Sequence, residues 1–121
     1  SYEASKGTKT AMKLSQGEGD FAVAIQLQPK NAYTYYNRGN LFAAEKSYTR
    51  AIADYTHAIS LDPNMAQAYY NRAVAHFYSG DIKSAQSDLS HAGELGLYNA
   101  YALSKKMSEA QPKKKQSQAK K

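Results

Sequence analysis

The chain contains no cysteine. Disulfides, thiolate zinc sites and cysteine nucleophiles are therefore excluded, while a reducing and an oxidising compartment remain equally open. No apolar run approaches the roughly 18 residues that span a bilayer, and no segment alternates apolar and polar residues as a half-buried strand would. The sequence describes a soluble chain without a transmembrane segment. It begins at Ser1 with no basic stretch leading into an apolar one, so no signal peptide is expected and the chain reads as a processed protein or an excised fragment of unknown compartment. Hydrophobic residues make up 42% of 121 positions, enough for one modest core and no second domain.

Net charge is also scarce over most of the length. The formal balance is +6, but Lys113, Lys114, Lys115, Lys120 and Lys121 supply five of those charges without an acidic neighbour. The remainder is nearly neutral. The stretch QPKKKQSQAKK lacks apolar periodicity and carries Pro112 at its start, so residues 111–121 are expected to form a disordered basic tail. Without arginines or interleaved aromatics, such a tail offers only weak, salt-sensitive contact to nucleic acid or an anionic membrane surface. Neither is the expected partner; an adaptor tethered through this tail is the alternative reading.

What the chain has in place of these features is repetition. Tyr35-Tyr36-Asn37-Arg38 recurs as Tyr69-Tyr70-Asn71-Arg72, 34 positions later. Aligned at that offset, Ala32 matches Ala66, Ala51 matches Ala85, Asp54 matches Asp88, His57 matches His91, Ala58 matches Ala92 and Leu61 matches Leu95. A third copy lies upstream, where DFAVAIQLQP at 20–29 aligns with DYTHAISLDP at 54–63. A fixed period of this length is the signature of a helical array. Within a unit the apolar residues stand three and four apart, as in Tyr48, Ala51, Ile52, Tyr55, Ala58 and Ile59, which makes one stripe on a helix. Pro63 ends that helix, since it lacks an N–H and biases Asp62 away from the helical region. Gly80-Asp81 supplies a turn and an N-cap. Helices are expected at about 2–14, 19–28, 32–44, 47–60, 66–78, 81–93 and 97–109.

These residues carry a resemblance. A 34-residue helix–turn–helix unit with Tyr35, Gly39 and Phe42 in its first helix and Ala51, Tyr55, Ala58 and Pro63 in its second resembles the tetratricopeptide repeat. The next unit keeps Tyr69, Ala73, Ala85, Leu89 and Ala92, with His76 at an aromatic position and Leu97 at the proline. In the first unit Phe21, Ala24 and Pro29 fit, Gly17 stands at a small-residue position, and Ser1, Ser5 and Thr8 depart from the pattern. The resemblance implies an all-α, right-handed superhelical solenoid over 1–110. Its units are 1–31 (degenerate), 32–65 and 66–99, and a solvating cap helix covers about 97–110.

The resemblance further implies a non-catalytic protein-interaction module, a scaffold or adaptor that holds a partner's peptide or helix in a concave groove lined by the first helices. The matching positions are Tyr33, Tyr36, Asn40, Ala43 and Ala44 in one unit and Gln67, Tyr70, Val74, Phe77 and Tyr78 in the next. Asn37 and Asn71 stand beside them, and Tyr101 and Lys105 continue the row on the cap. Aromatic rings and amides suit apolar side chains and a peptide backbone. Packing between helices is the competing role for some of these tyrosines, and it is the expected role of Tyr35 and Tyr69. A chaperone-type carboxylate clamp would match at Asn40, Asn71 and Lys105, but Tyr36 and Tyr101 stand where two of its lysines belong, so a neutral or weakly acidic peptide is expected.

No enzyme motif occurs. Gly17 and Gly19 before Asp20 fall short of a dinucleotide-binding loop and follow no strand, and HExxH, GxSxG and a phosphate loop are missing. His57 and His91, like Asp54 and Asp88, recur because a structural position recurs. His76 is expected at the core or its rim. No catalytic residue, metal or cofactor is expected.

Overall fold

The structure is a computed structural model that describes residues 17–110. The first expected helix, about 2–14, and the basic tail at 111–121 lie outside the described residues. Six helices follow one another: α1 at 17–27, α2 Ala32–Ala44, α3 Tyr48–Leu61, α4 Ala66–Tyr78, α5 Ile82–Glu94 and α6 Asn99–Glu109. Each packs mainly on its sequence neighbours: α2 on α3, α4 on α5, α3 on α4 and α5 on α6. That is the one-dimensional arrangement of a repeat array, an all-α helical solenoid.

The helix ends follow from local chemistry. The Asn31 side chain accepts from the Tyr33 N–H at 3.0 Å, and the Asp81 side chain accepts from the Ser84 N–H at 3.0 Å, satisfying first-turn donors of α2 and α5. Asp81 also accepts from the Ser84 hydroxyl, and these two bonds hold its carboxyl below the usual range. Asp62 is extended (φ −140°, ψ 88°), the conformation Pro63 imposes on its predecessor. The turn within each pair needs a left-handed residue; Gly80 supplies it at φ +91°, whereas Lys46, its counterpart 34 residues earlier, adopts φ 63° with a side chain attached. Helix α6 starts at Asn99 rather than 97, because left-handed Gly96 (φ +107°) closes α5 in the place of proline.

Alanines let the helices approach closely. Ala51, Ala58, Ala68, Ala73, Ala85, Ala92 and Ala100 are wholly buried, with Tyr55 and Leu89 the largest fully buried side chains. Tyr35 and Tyr69 lie in the core, stacked on His57 (ring centroids 4.0 Å) and His91 (4.2 Å) respectively. Each histidine therefore covers the face of a core tyrosine ring, a structural role that recurs with the repeat. His76 is half-buried with Nε2 3.8 Å from Asp88.

Both buried aspartates are paired. Arg38 binds Asp54 through Nε (2.7 Å) and Nη2 (2.8 Å), and Arg72 binds Asp88 in the same manner at 2.7 and 2.7 Å. The planar fork matches the carboxylate, and the bonds to aspartate are the main reason both guanidinium pKa values are raised. The final residue of the YYNR motif is thus a clasp between the two helices of a unit. Arg72 reaches further, donating through Nη1 to the Thr56 hydroxyl at 3.0 Å and so tying α4 back to α3.

Candidate functional site

Along one face of the array, side chains of α2, α4 and α6 border two adjoining clefts that share Val74 and Tyr78. The first, about 240 Å³, is lined by Asn40 and Ala43 of α2, Tyr48 and Tyr55 of α3, and Asn71, Val74, Ala75 and Tyr78 of α4. The second, about 370 Å³, lies between α4 and α6, bordered by Tyr70, Val74, Phe77, Tyr78, Leu103, Lys106, Met107 and Ala110. Among these linings Lys106 is the single charged side chain.

A hydrogen-bond network fixes the floor of the first cleft. Buried Tyr55 donates its hydroxyl to Asn40 Oδ1 at 2.6 Å, and Asn71 Nδ2 donates to both Asn40 Oδ1 and the Tyr36 hydroxyl at 3.0 Å each. Gln67 Nε2 donates to Asn71 Oδ1 at 3.2 Å. Burial pushes the Tyr55 hydroxyl well above its ordinary pKa, so it stays a donor. Both N–H groups of Asn71 are thereby engaged. The Asn40 amide nitrogen, in contrast, makes no hydrogen bond with another described residue, and the Tyr36 hydroxyl accepts from Asn71 with its own proton still to donate. This end of the face presents donors.

The expected groove residues divide into three groups. Asn40, Ala43, Asn71, Val74 and Tyr78 line the first cleft, and Tyr70, Val74, Phe77 and Tyr78 line the second. Tyr36 and Gln67 border neither cleft but join the hydrogen-bond network, Tyr36 half-buried with its ring 6.0 Å from that of Tyr55 and Gln67 exposed. Tyr33 is exposed and meets Tyr36 edge-on at 6.5 Å, and Asn37 and Ala44 are exposed. Tyr101 lies over Gly93, so closely that a Cβ there would collide with its ring, and Lys105 is exposed. Neither Tyr101 nor Lys105 lines a cleft.

The displacement on α6 has a physical reason. Helix α6 buries Ala100 and Met107 and exposes Ala102, whereas the α4 counterpart of Ala102, Ala68, is wholly buried. As the last described helix, α6 keeps the 34-residue phase on the side that packs, with Leu103 and Met107 standing where Tyr69 and Ala73 stand in α4, but no described helix covers its other side, where Ala102 is exposed. Its own apolar spacing, Ala100, Leu103 and Met107, marks the side that packs. Tyr48 was also missed: at the first turn of α3 it stacks on Tyr78 with ring centroids 5.4 Å apart and walls the first cleft, although its spacing placed it only in the helix stripe.

Comparison with known proteins agrees with this architecture. A TPR repeat model matches residues 39–80 and a tetratricopeptide repeat model matches 66–95. Residues 39–95 are thus identified as tetratricopeptide repeats. Similar solved structures include the TPR2B domain of yeast Sti1 in a pHsp70 complex, with 26% identity, a TM-score of 0.75 and coverage of 88% of this chain and 91% of that one. The Arabidopsis OM64 TPR domain is 25% identical over 88% of this chain and 89% of its own, also at TM-score 0.75. The second TPR domain of human RPAP3, in complex with the HSP70 peptide SGPTIEEVD, is 23% identical over 88% and 91%, at TM-score 0.73, and shares the fold. No curated protein matches the sequence. Among the described residues no helix is long and apolar enough to cross a membrane, and no group of three His, Asp or Glu is gathered to hold a metal.

Proposed function

We propose that the chain is a non-catalytic scaffold or adaptor module that holds a peptide of a partner protein along the face formed by α2, α4 and α6. The carrying observation is the pair of joined clefts, apolar in their walls, with the Asn40 amide in the first of them as a donor for a backbone carbonyl. The Sti1 domain, which is similar to this chain, is a complex with pHsp70. Here Tyr36 and Tyr101 replace two cations of a chaperone-type clamp, which favours a peptide anchored by apolar side chains over one captured by its carboxylates. We further assign the working domain to residues 1–110, with units at 1–31, 32–65 and 66–99 and a cap at 97–110. The tail at 111–121 contributes no specific contact to nucleic acid or membrane.

Selection of binders from a displayed peptide library, followed by fluorescence anisotropy, tests this reading. Tyr70→Ala combined with Tyr78→Ala should weaken the selected peptide at least 30-fold, the share that interface aromatics commonly carry, of about 2 kcal/mol or more. Deletion of 111–121 should leave affinity unchanged at moderate salt. Peptides that bind the double variant normally but lose affinity on tail deletion would refute the groove.

A further inference from the structure

The first cleft has an uneven hydrogen-bond inventory. Asn40 Oδ1 accepts from both the Tyr55 hydroxyl and Asn71 Nδ2, which fills its two lone pairs, and Asn71 Oδ1 accepts from Gln67 Nε2. Asn40 Nδ2 has no partner among the described residues. The lining thus has an amide donor to give, while the amide oxygens beside it are already engaged. No charged side chain lines this cleft, and its walls include Ala43, Val74 and the stacked rings of Tyr48 and Tyr78. A peptide backbone entering here gains by presenting a carbonyl and loses by presenting an N–H, because a desolvated N–H without an acceptor keeps its full penalty. The amide that precedes a proline has a carbonyl and no N–H.

We propose that the first cleft is a proline-recognition site for an uncharged segment of the partner in the polyproline II conformation, with Asn40 Nδ2 donating to the carbonyl before the proline and the ring lying against Tyr48 and Tyr78. The inference rests on the reading of this face as a peptide groove and names the chemistry of what it holds. The second cleft fits the same segment. Polyproline II has three residues per turn and rises about 3.1 Å per residue, so every third side chain returns to one face after about 9 Å. Helices α2 and α4 touch, and the spacing of packed helices puts adjoining clefts roughly 8–10 Å apart. A proline in the first cleft therefore brings the residue three places away to the apolar slot of Tyr70, Phe77, Leu103 and Met107. A preformed extended segment also loses little freedom on binding, which is why aromatic-lined grooves suit it.

Anisotropy with the full chain and peptides selected from the displayed library tests the proposal. Selected sequences should carry a proline with a large apolar residue three places from it. Replacing that proline by alanine restores an N–H and should weaken binding at least about fivefold. N-methylalanine, which keeps the tertiary amide and drops the ring, should retain more affinity than alanine. On the protein side, Asn40→Asp exchanges the free donor for an acceptor and keeps an oxygen for Tyr55 and Asn71, so the preference for proline over alanine should shrink or reverse. Circular dichroism checks that this variant is folded, and the peptide substitutions, read on the wild-type chain, do not depend on it. Selected peptides without proline, equal binding of the proline and alanine peptides, or N-methylalanine as weak as alanine would overturn the proposal. The groove itself stands if the same peptides lose affinity to Tyr70→Ala with Tyr78→Ala; peptides indifferent to that double change would remove the groove and this site together.

Discussion

Gly39 and Tyr55 are shaped to each other: a Cβ on Gly39 would stand 2.7 Å from the Tyr55 ring, which is itself 1% exposed. One repeat later the same two places hold Ala73 and Leu89, both wholly buried, so a larger residue on the first helix meets a smaller one on the second. Gly39→Ala should destabilise the chain by about 1–3 kcal/mol through overpacking. Combined with Tyr55→Leu, it should cost less than the sum of the two single changes, with a coupling of roughly 0.5–3 kcal/mol in urea denaturation. Strict additivity would mean that the ring moves aside freely.

The two Arg–Asp clasps should differ in weight. The Arg72 side chain is 18% exposed against 26% for Arg38, and it alone also holds Thr56. Asp88→Ala should cost about 3–5 kcal/mol by stranding a largely buried guanidinium. Asp54→Ala should cost less. Thermal unfolding of the two variants under identical conditions compares them directly, and the reverse order would refute the argument from burial.

Lys46 holds a left-handed backbone that an L side chain adopts at a cost of roughly 1–2 kcal/mol, partly offset by the greater freedom glycine has when unfolded. Lys46→Gly should therefore raise stability by roughly 0.5–1 kcal/mol. Gly80→Ala, at the equivalent turn, should lower it. Calorimetry on the two variants reads both signs.

Burial raises the pKa of the Tyr55 hydroxyl well above the ordinary tyrosine value of about 10. The folded state thus favours the protonated form, and the associated stability is fully present below about pH 10 and declines as the pH climbs from there towards the folded pKa. Tyr55→Phe removes that ionisation. Its melting temperature should start lower at neutral pH and fall less steeply above pH 10 than that of the wild type.

Much of the array is legible from sequence because period and spacing are properties of single helices. Ala32–Ala44 and Ala66–Tyr78 fall where the periodicity places them, and α3 and α5 are each displaced by one residue, with Ser47 and Asp81 preceding the helix and Leu61 and Glu94 still within it. The Arg38–Asp54 and Arg72–Asp88 bonds were visible as four recurring residues, yet nothing in a linear pattern says that residues 16 apart on two helices will meet. Of the expected groove positions, Asn40, Tyr70, Asn71, Val74, Phe77 and Tyr78 line the two clefts, all of them on the two helices that repeat each other. The lining of the clefts was not legible on α6, where no described helix follows to wall a further cleft beside Tyr101 and Lys105, nor at Tyr48, which lines the first cleft by stacking on Tyr78 of another helix.

The hydroxyl of Thr56 gives the array a mechanical polarity. Arg72 grips it across the boundary between two units, whereas 34 residues earlier the same place on α1 is Ala22, which has no group for Arg38 to grip. Pulled from its two ends, the described array should part first between α1 and α2, and the block from α2 to α5 should hold longer as one piece. A chain built this way can release its leading helix under load while the surface around Asn71 and Val74 keeps its shape.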